Sequence, residues 1–297
     1  MIINRHNTHI LHAFEYHNPA SVIDACKLLS DLPEDTRIIA GGTDLIPKMK
    51  EDLLRPSNIV NIKQIPGLSG IDEKDNCIKI GALTKIREIE KNSLIQEKAN
   101  ILHQATRVIG SIQIRNLATI GGNLCNASPA ADGAAALIAL NAEVTIRSHK
   151  KVRYFNLETF FKGPSKSILE KDEILTCIQF QTPKKDSFSY YRKLGRVSLD
   201  LATVSLAIQA RVDEGKIIEI RIVTGSVAPI PLRLKTVEDS LIDRKLTEDL
   251  IQVTANQISK EIKPITDARG SASYRKNAIK GLVKEAFFAM LEKKEGD

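Results

Sequence analysis

Apolar positions recur along this chain with two different periods, and the switches between them mark its elements. Residues 20–30 carry apolar side chains at helical spacing, and Ser21 stands where an N-cap belongs. Arg37–Ala40, Asn58–Ile62 and Cys77–Ile80 are short alternating or β-branched runs, which predict strands. Helical spacing returns from Thr84 to Gly110, where Ile86, Ile89, Leu94, Ile95, Ile101, Leu102 and Val108 mark the apolar faces of two helices. A glycine-rich loop at Ile120-Gly121-Gly122-Asn123 interrupts that pattern. After it, Ser128 as N-cap and Pro129 at the first helical position predict a helix running to Asn141.

Glu143–Arg147 reads as a strand again. The polar, proline-bearing segment 181–186 then suits a linker. Beyond it, Ala202–Val212 and Ile217–Val223 alternate as strands, and Asp213-Glu214-Gly215 between them signals a hairpin. From Tyr274 to Lys293 the spacing of Ile279, Leu282, Val283, Ala286 and Met290 predicts a closing amphipathic helix.

A length of 297 residues exceeds the common single-domain size, so two packed domains are expected, divided in the linker. With 42% hydrophobic and 27% charged residues the chain is an ordinary globular one. The longest apolar run, Ala134–Leu140, is far too short to span a bilayer. Met1 to Asn7 carries neither an apolar core nor a cleavage site, so no secretory signal is expected and the expected compartment is cytoplasmic.

A net charge of +7 raises the question of nucleic acid. The basic residues are scattered among acidic ones, aromatics are only 4% and Trp is absent, so that function class is set aside. Cys26, Cys77, Cys125 and Cys177 are widely separated with no metal-type spacing, so they read as free thiols, and no iron–sulfur cluster is expected on this chain. Cys125 reads as a packing residue.

Two glycine loops carry the candidate chemistry. In the first, a strand ends on Gly41-Gly42-Thr43, where consecutive backbone N–H groups can form an anion-binding concavity. A tight turn that needs glycine only for shape is the alternative. The second, Thr119 to Asp132, couples a Gly-Gly turn to a helix start, where unsatisfied N–H groups also favour an anion. Two such loops suggest a diphosphate. Neither matches the Rossmann or P-loop spacing.

These stretches, Ala40-Gly41-Gly42-Thr43-Asp44-Leu45 and Gln113-Ile114-Arg115-Asn116 leading into Thr119–Asp132, resemble the flavoprotein subunit of the xanthine dehydrogenase and carbon-monoxide dehydrogenase family. The resemblance continues through Gly163-Pro164, Asp172-Glu173-Ile174-Leu175, Tyr191-Arg192-Lys193-Leu194-Gly195 and Asp200-Leu201-Ala202. It implies an α+β protein: a p-cresol-methylhydroxylase-type FAD-binding domain over 1–183, in two α/β subdomains of about 1–60 and 61–183. A C-terminal α+β domain, an antiparallel sheet with helices, follows over 187–292.

The same resemblance implies cofactor contacts at Ile39, Ala40, Gly41, Gly42, Thr43, Asp44 and Leu45, at Ile109, and at Thr119, Ile120, Gly122 and Asn123. It adds Ser128 and Asp132, backbone contacts at Ile174 and Leu175, and Lys193 beside the flavin ring, where a cation could stabilise developing charge. The bland readings of the last residues are a first-turn acid, an ordinary strand and a solvated lysine. The first loop offers Thr43 and Asp44 where related flavin enzymes attach FAD to a histidine, so FAD is expected to be non-covalent. His103 is expected to be structural or exposed.

The implied function is an electron-transfer oxidoreductase subunit, working between partner iron–sulfur clusters and NAD+ or another acceptor, with no catalytic acid or base of its own. The molybdenum cofactor and the two-iron two-sulfur clusters are expected on partner subunits. A self-contained flavin oxidase of the same fold and a FAD-free assembly module are the alternatives.

Overall fold

The computed structural model describes residues 11–197 and 199–296. The N-terminal segment read above for a leader, Met1 to Asn7, lies outside them. Near the start a small parallel sheet forms from β1 (Glu15–His17), β2 (Arg37–Ile39) and β3 (Asn58–Asn61), in the order β1-β3-β2. The crossovers are α1 (Val22–Asp31), which Ser21 caps by accepting from the Asp24 N–H, and α2 (Leu45–Lys50).

A five-stranded antiparallel sheet follows, built from β4 (Ile71–Lys74), β5 (Cys77–Gly81), β6 (Glu143–Arg147), β7 (Val152–Asn156) and the later β10 (Ile174–Gln181). Its order is β4-β5-β10-β6-β7. Between β5 and β6 the chain runs through α3 (Ile86–Lys91), α4 (Ser93–Lys98), α5 (Asn100–Arg107), α6 (Ile112–Leu117), α7 (Ile120–Cys125) and α8 (Asp132–Ala139). The stretch Thr84–Gly110 therefore holds three helices rather than two. Asn92 makes the extra break, ending α3 and capping α4 by accepting from the Ile95 N–H at 3.1 Å. The short strands β8 (Phe161–Gly163) and β9 (Lys166–Ser167) pair with each other.

The third sheet is antiparallel, with β11 (Phe188–Leu194), β12 (Val204–Asp213), β13 (Lys216–Gly225) and β14 (Leu232–Arg233) in sequence order. The β12–β13 hairpin turns through Glu214 and Gly215 at φ 45° and 79°, the left-handed pair that a tight hairpin demands. Helices α9 (Lys235–Leu241), α10 (Glu248–Glu261) and α11 (Ala272–Gly296) complete the fold.

Strand β12 is buried on both faces. Leu206, Ile208 and Ala210 join Ile279, Val283 and Phe287 of α11 in one core, while Ala207 and Val223 join the core built around α8. Helix α8 is therefore covered all round, as its Ala- and Leu-rich sequence requires. Any polar group it carries must find a partner inside the protein. Among the described residues no helix is long and apolar enough to cross a membrane.

Candidate functional site

A cleft of about 610 Å³ opens where the three sheets approach one another, within the size of pockets that hold small molecules and cofactors. It is lined by Ile39, Ala40, Gly41, Gly42, Thr43, Asp44, Leu45, Ile109, Thr119, Gly122, Asn123, Ser128, Asp132, Ile174, Leu175 and Lys193. Of the cofactor contacts expected from sequence, Ile120 alone does not line it. Its side chain is fully buried in the core, and its N–H donates to Thr84 O at 3.0 Å.

The first loop is shaped from below by backbone. A Cβ on Gly41 would lie 2.3 Å from Leu117 O, so the loop touches the end of α6 with no room for a side chain. Gly42 follows at φ 75°. Among the described residues the N–H groups of Gly41, Gly42 and Thr43 donate no intramolecular hydrogen bond, and they border the cleft. Unmet backbone donors at a glycine turn suit an anion.

The second glycine stretch behaves differently from its expected role. Residues 120–125 are helix α7, not a loop, and its first amides are already engaged. Gly121 N–H donates to Ala82 O at 2.8 Å, Gly122 N–H to Thr119 Oγ1 at 3.1 Å and Asn123 N–H to Thr119 O at 3.0 Å. The glycines are there for contact, since a Cβ on Gly121 would lie 2.7 Å from Ala82 Cβ. Asn123 Oδ1 is buried and has no partner among the described residues, so one acceptor on this wall awaits a donor.

Ser128 and Pro129 do not begin the next helix; α8 starts at Asp132. Pro129 O instead accepts the Ser226 N–H at 2.9 Å, which holds the segment against the third sheet and away from the helical ladder. Ser128 Oγ accepts from the Ala130 N–H at 3.2 Å.

Asp132 is buried at one wall. The Tyr191 hydroxyl donates to its Oδ1 at 2.5 Å, and Lys193 Nζ donates to its Oδ2 at 3.1 Å. Burial drives the Asp132 carboxyl upward, against the pull of Lys193 and of the Tyr191 hydroxyl. The Tyr191 phenol is held well above its ordinary value by burial and by the carboxylate, so it stays a donor. Tyr191 and Lys193 alternate on β11, which points both toward α8. Sequence reasoning missed this role for Tyr191, although the same alternation was available to find it.

Two further contacts were out of reach of sequence. Lys48 Nζ donates to Asn126 Oδ1 at 3.2 Å, and Asn126 Nδ2 donates to Asp44 Oδ1 at 3.0 Å, tying α2 to the end of α7. Arg115, nearly buried, pairs with Glu90 and donates to Ile109 O at 3.1 Å and Gly110 O at 2.9 Å. It sets the backbone beside Ile109.

Ile174 and Leu175 border the cleft as buried residues, 2% and 3% exposed, at the start of β10. Ile114, Leu199 and Leu201 give the cleft an exposed apolar margin. Cys125 is not a packing residue: it is exposed at the end of α7 and lines the cleft, where desolvation by the surrounding walls pushes its thiol up to about 12. His103, half-buried on α5, is not part of the cleft.

This arrangement suits a long, anionic, partly aromatic ligand. Free amides stand at one end, an ion pair with a tyrosine hydroxyl at one wall and apolar side chains at the margin. Comparison with known proteins points the same way. Residues 12–183 match the FAD binding domain in molybdopterin dehydrogenase, and residues 189–290 match the CO dehydrogenase flavoprotein C-terminal domain. The chain is 36% identical over 275 residues to the glyceraldehyde dehydrogenase medium chain of Sulfolobus acidocaldarius, covering 92% of this chain and 97% of the relative. It is 33% identical over 291 residues to the nicotinate dehydrogenase FAD-subunit of Eubacterium barkeri, covering 95% and 98%. Among solved structures, carbon monoxide dehydrogenase from Hydrogenophaga pseudoflava lacking the Mo-pyranopterin moiety superposes with a TM-score of 0.92 at 32% identity. That match covers 94% of this chain and 98% of the other.

Proposed function

Because this chain belongs to the family of the FAD binding domain in molybdopterin dehydrogenase, we propose that it is the electron-transfer flavoprotein subunit of a molybdenum hydroxylase. It receives electrons from iron–sulfur clusters on one partner subunit and delivers them to NAD+ or another acceptor. Hydroxylation of the organic substrate takes place on a second, molybdenum-binding partner. The observation that carries this reading is the convergence on one cleft of segments far apart in sequence, each picked out as a cofactor contact. The division between the FAD-binding region and the C-terminal region is proposed at residues 183–187, where β10 has ended at Gln181 and β11 begins at Phe188.

When bound, FAD supplies the redox chemistry that no side chain here can. The protein's part is to bind, orient and shield. The N–H groups of Gly41, Gly42 and Thr43 hold the diphosphate non-covalently. Asn123 Oδ1 accepts from a ligand hydroxyl. Asp132, Tyr191 and Lys193 form a rigid polar wall, and Ile114, Leu199 and Leu201 keep water from the flat ring. None of these steps needs a general acid or base from this chain.

The test is the visible spectrum of the purified protein, repeated on the supernatant after acid precipitation with chromatography of the released nucleotide. FAD in a yellow supernatant is the expected result. A colourless protein whose melting temperature does not rise with added FAD overturns the reading, because a ligand of the native state must stabilise it. Anaerobic NADH then addresses the acceptor: bleaching of the flavin band supports NAD+, and an unchanged band assigns the electrons to a different one.

A further inference from the structure

We propose that a second cavity, lying between the 181–187 linker and the third sheet, binds a small oxyanion: a phosphate or a carboxylate on a compact body. The cavity measures about 240 Å³ and shares no lining residue with the cleft. Its wall is the sheet face turned toward α8. Gln209 and Arg211 alternate on β12 and stand in register with Arg221 and Glu219 on β13. Lys184 and Thr182 of the linker and Asn141, just past α8, complete it.

Gln209 is only 5% exposed. Its Oε1 accepts from Ser189 Oγ at 2.8 Å, while its Nε2 is buried with no hydrogen-bond partner among the described residues. A buried donor left unmet is costly, so it marks a place where an acceptor belongs. The neighbouring charges say which kind. Arg211 donates from Nε to Asp186 Oδ2 at 3.2 Å, and its two terminal nitrogens have no partner among the described residues. Arg221 donates from Nη2 to Glu219 Oε1 at 2.7 Å and from Nη1 to Ala139 O at 3.5 Å, so the carbonyl end of α8 is met. Lys184 stands exposed at the rim.

Three cations thus surround the cavity against the two carboxylates of Glu219 and Asp186. A cation would be repelled by the arginines, and an apolar guest would leave the donors unmet. An oxyanion satisfies the amide and the guanidinium of Arg211 together. It would also bridge the linker to the third sheet.

Calorimetric titration with inorganic phosphate and, separately, with succinate tests this on the whole protein. Saturating FAD and constant ionic strength keep the first glycine loop out of the measurement. Saturable binding of either probe is expected, and the tighter probe names the ligand's class. Arg211→Gln and Gln209→Glu are each expected to weaken it by about tenfold or more through loss of a charge-assisted contact or added repulsion, with FAD content unchanged. Should Arg211→Gln fail to fold, Lys184→Gln at the exposed rim is the second variant, expected to weaken binding severalfold. No saturable binding of either probe, or binding that Gln209→Glu and Lys184→Gln both leave unchanged, overturns the proposal.

Discussion

Lys193 Nζ lies 3.1 Å from Asp132 Oδ2, and the two side chains are buried together at 7% and 5% exposed. The ammonium also donates to Val108 O at 2.6 Å and to Asp200 O at 3.0 Å. An ammonium has three protons, and here each has an acceptor. Lys193 therefore joins the end of α5, the start of α8 and the segment after β11 in one knot, and it can donate to a ligand only by giving up one of these bonds.

Replacing this lysine should expose the cost of the buried acid. Lys193→Met is expected to lose about 3–5 kcal/mol of stability at neutral pH, because an unpaired carboxylate is left inside. Asp132→Asn in the same variant should restore part of it. The folded Asp132 carboxyl is already raised above its ordinary 3.8, and removing the cation raises it further. The variant's deficit against the wild type should therefore be smallest in acid, where the carboxyl is protonated in both, and grow as pH rises through the wild type's own raised Asp132 value. Urea midpoints at several pH values measure both effects.

The acid side of the stability profile should depend on Asp267. Burial acts to raise this carboxyl, but the Arg269 N–H and the guanidinium groups of Arg269 and Arg275 outweigh it and bring it from 3.8 to about 2. Its folded value is depressed, so its contribution is fully present above pH 3.8 and is lost as pH falls toward 2. Asp267→Asn should flatten the change in unfolding midpoint across that window. An unchanged slope would show that other carboxylates govern it.

The first glycine turn and the cap of α7 can be probed by one substitution each. Gly41→Ala brings a Cβ to 2.3 Å from Leu117 O, and a backbone neighbour cannot swing aside. The variant should lose about 1–3 kcal/mol by overpacking and release FAD on gel filtration. Thr119→Ala removes the acceptor that caps α7 and should cost about 1 kcal/mol, with Thr119→Ser close to wild type. Thermal melts and the ratio of flavin to protein absorbance give both readings.

Cys125 offers a chemical report on the cleft. With its thiol pushed up to about 12, little thiolate exists at pH 8, so alkylation there should be slow and should quicken about tenfold per pH unit. Bound FAD should protect it. Mass spectrometry of the tryptic peptide after timed iodoacetamide treatment distinguishes this from a reactive thiol, which would be modified within minutes at pH 8.

Much of the architecture was legible because it is local. The cap at Ser21, the hairpin at Asp213-Glu214-Gly215 and the spacing of Ile279, Leu282 and Val283 each report a backbone preference or a burial period within a few residues. The Gly41-Gly42 turn was legible for the same reason, since positive φ and close approach leave glycine as the fitting residue.

The errors came where distant contacts compete with local rules. Ser128-Pro129 has the composition of a helix start, yet Pro129 O is taken by Ser226 N–H, from nearly a hundred residues on, and the helix waits until Asp132. Gly121 and Gly122 look like a phosphate loop, yet their amides serve Ala82 O and Thr119 Oγ1.

By itself, then, the order of residues determined the periods, the turns and the family likeness of the glycine motifs. Only the tertiary structure decided which amides stay free for a ligand, that Tyr191 and Lys193 meet Asp132, and that an unmet Gln209 amide faces a second cavity. The physical reason is that a hydrogen bond is settled by which donor and acceptor packing brings within about 3 Å, and a linear pattern carries no such distance between remote segments.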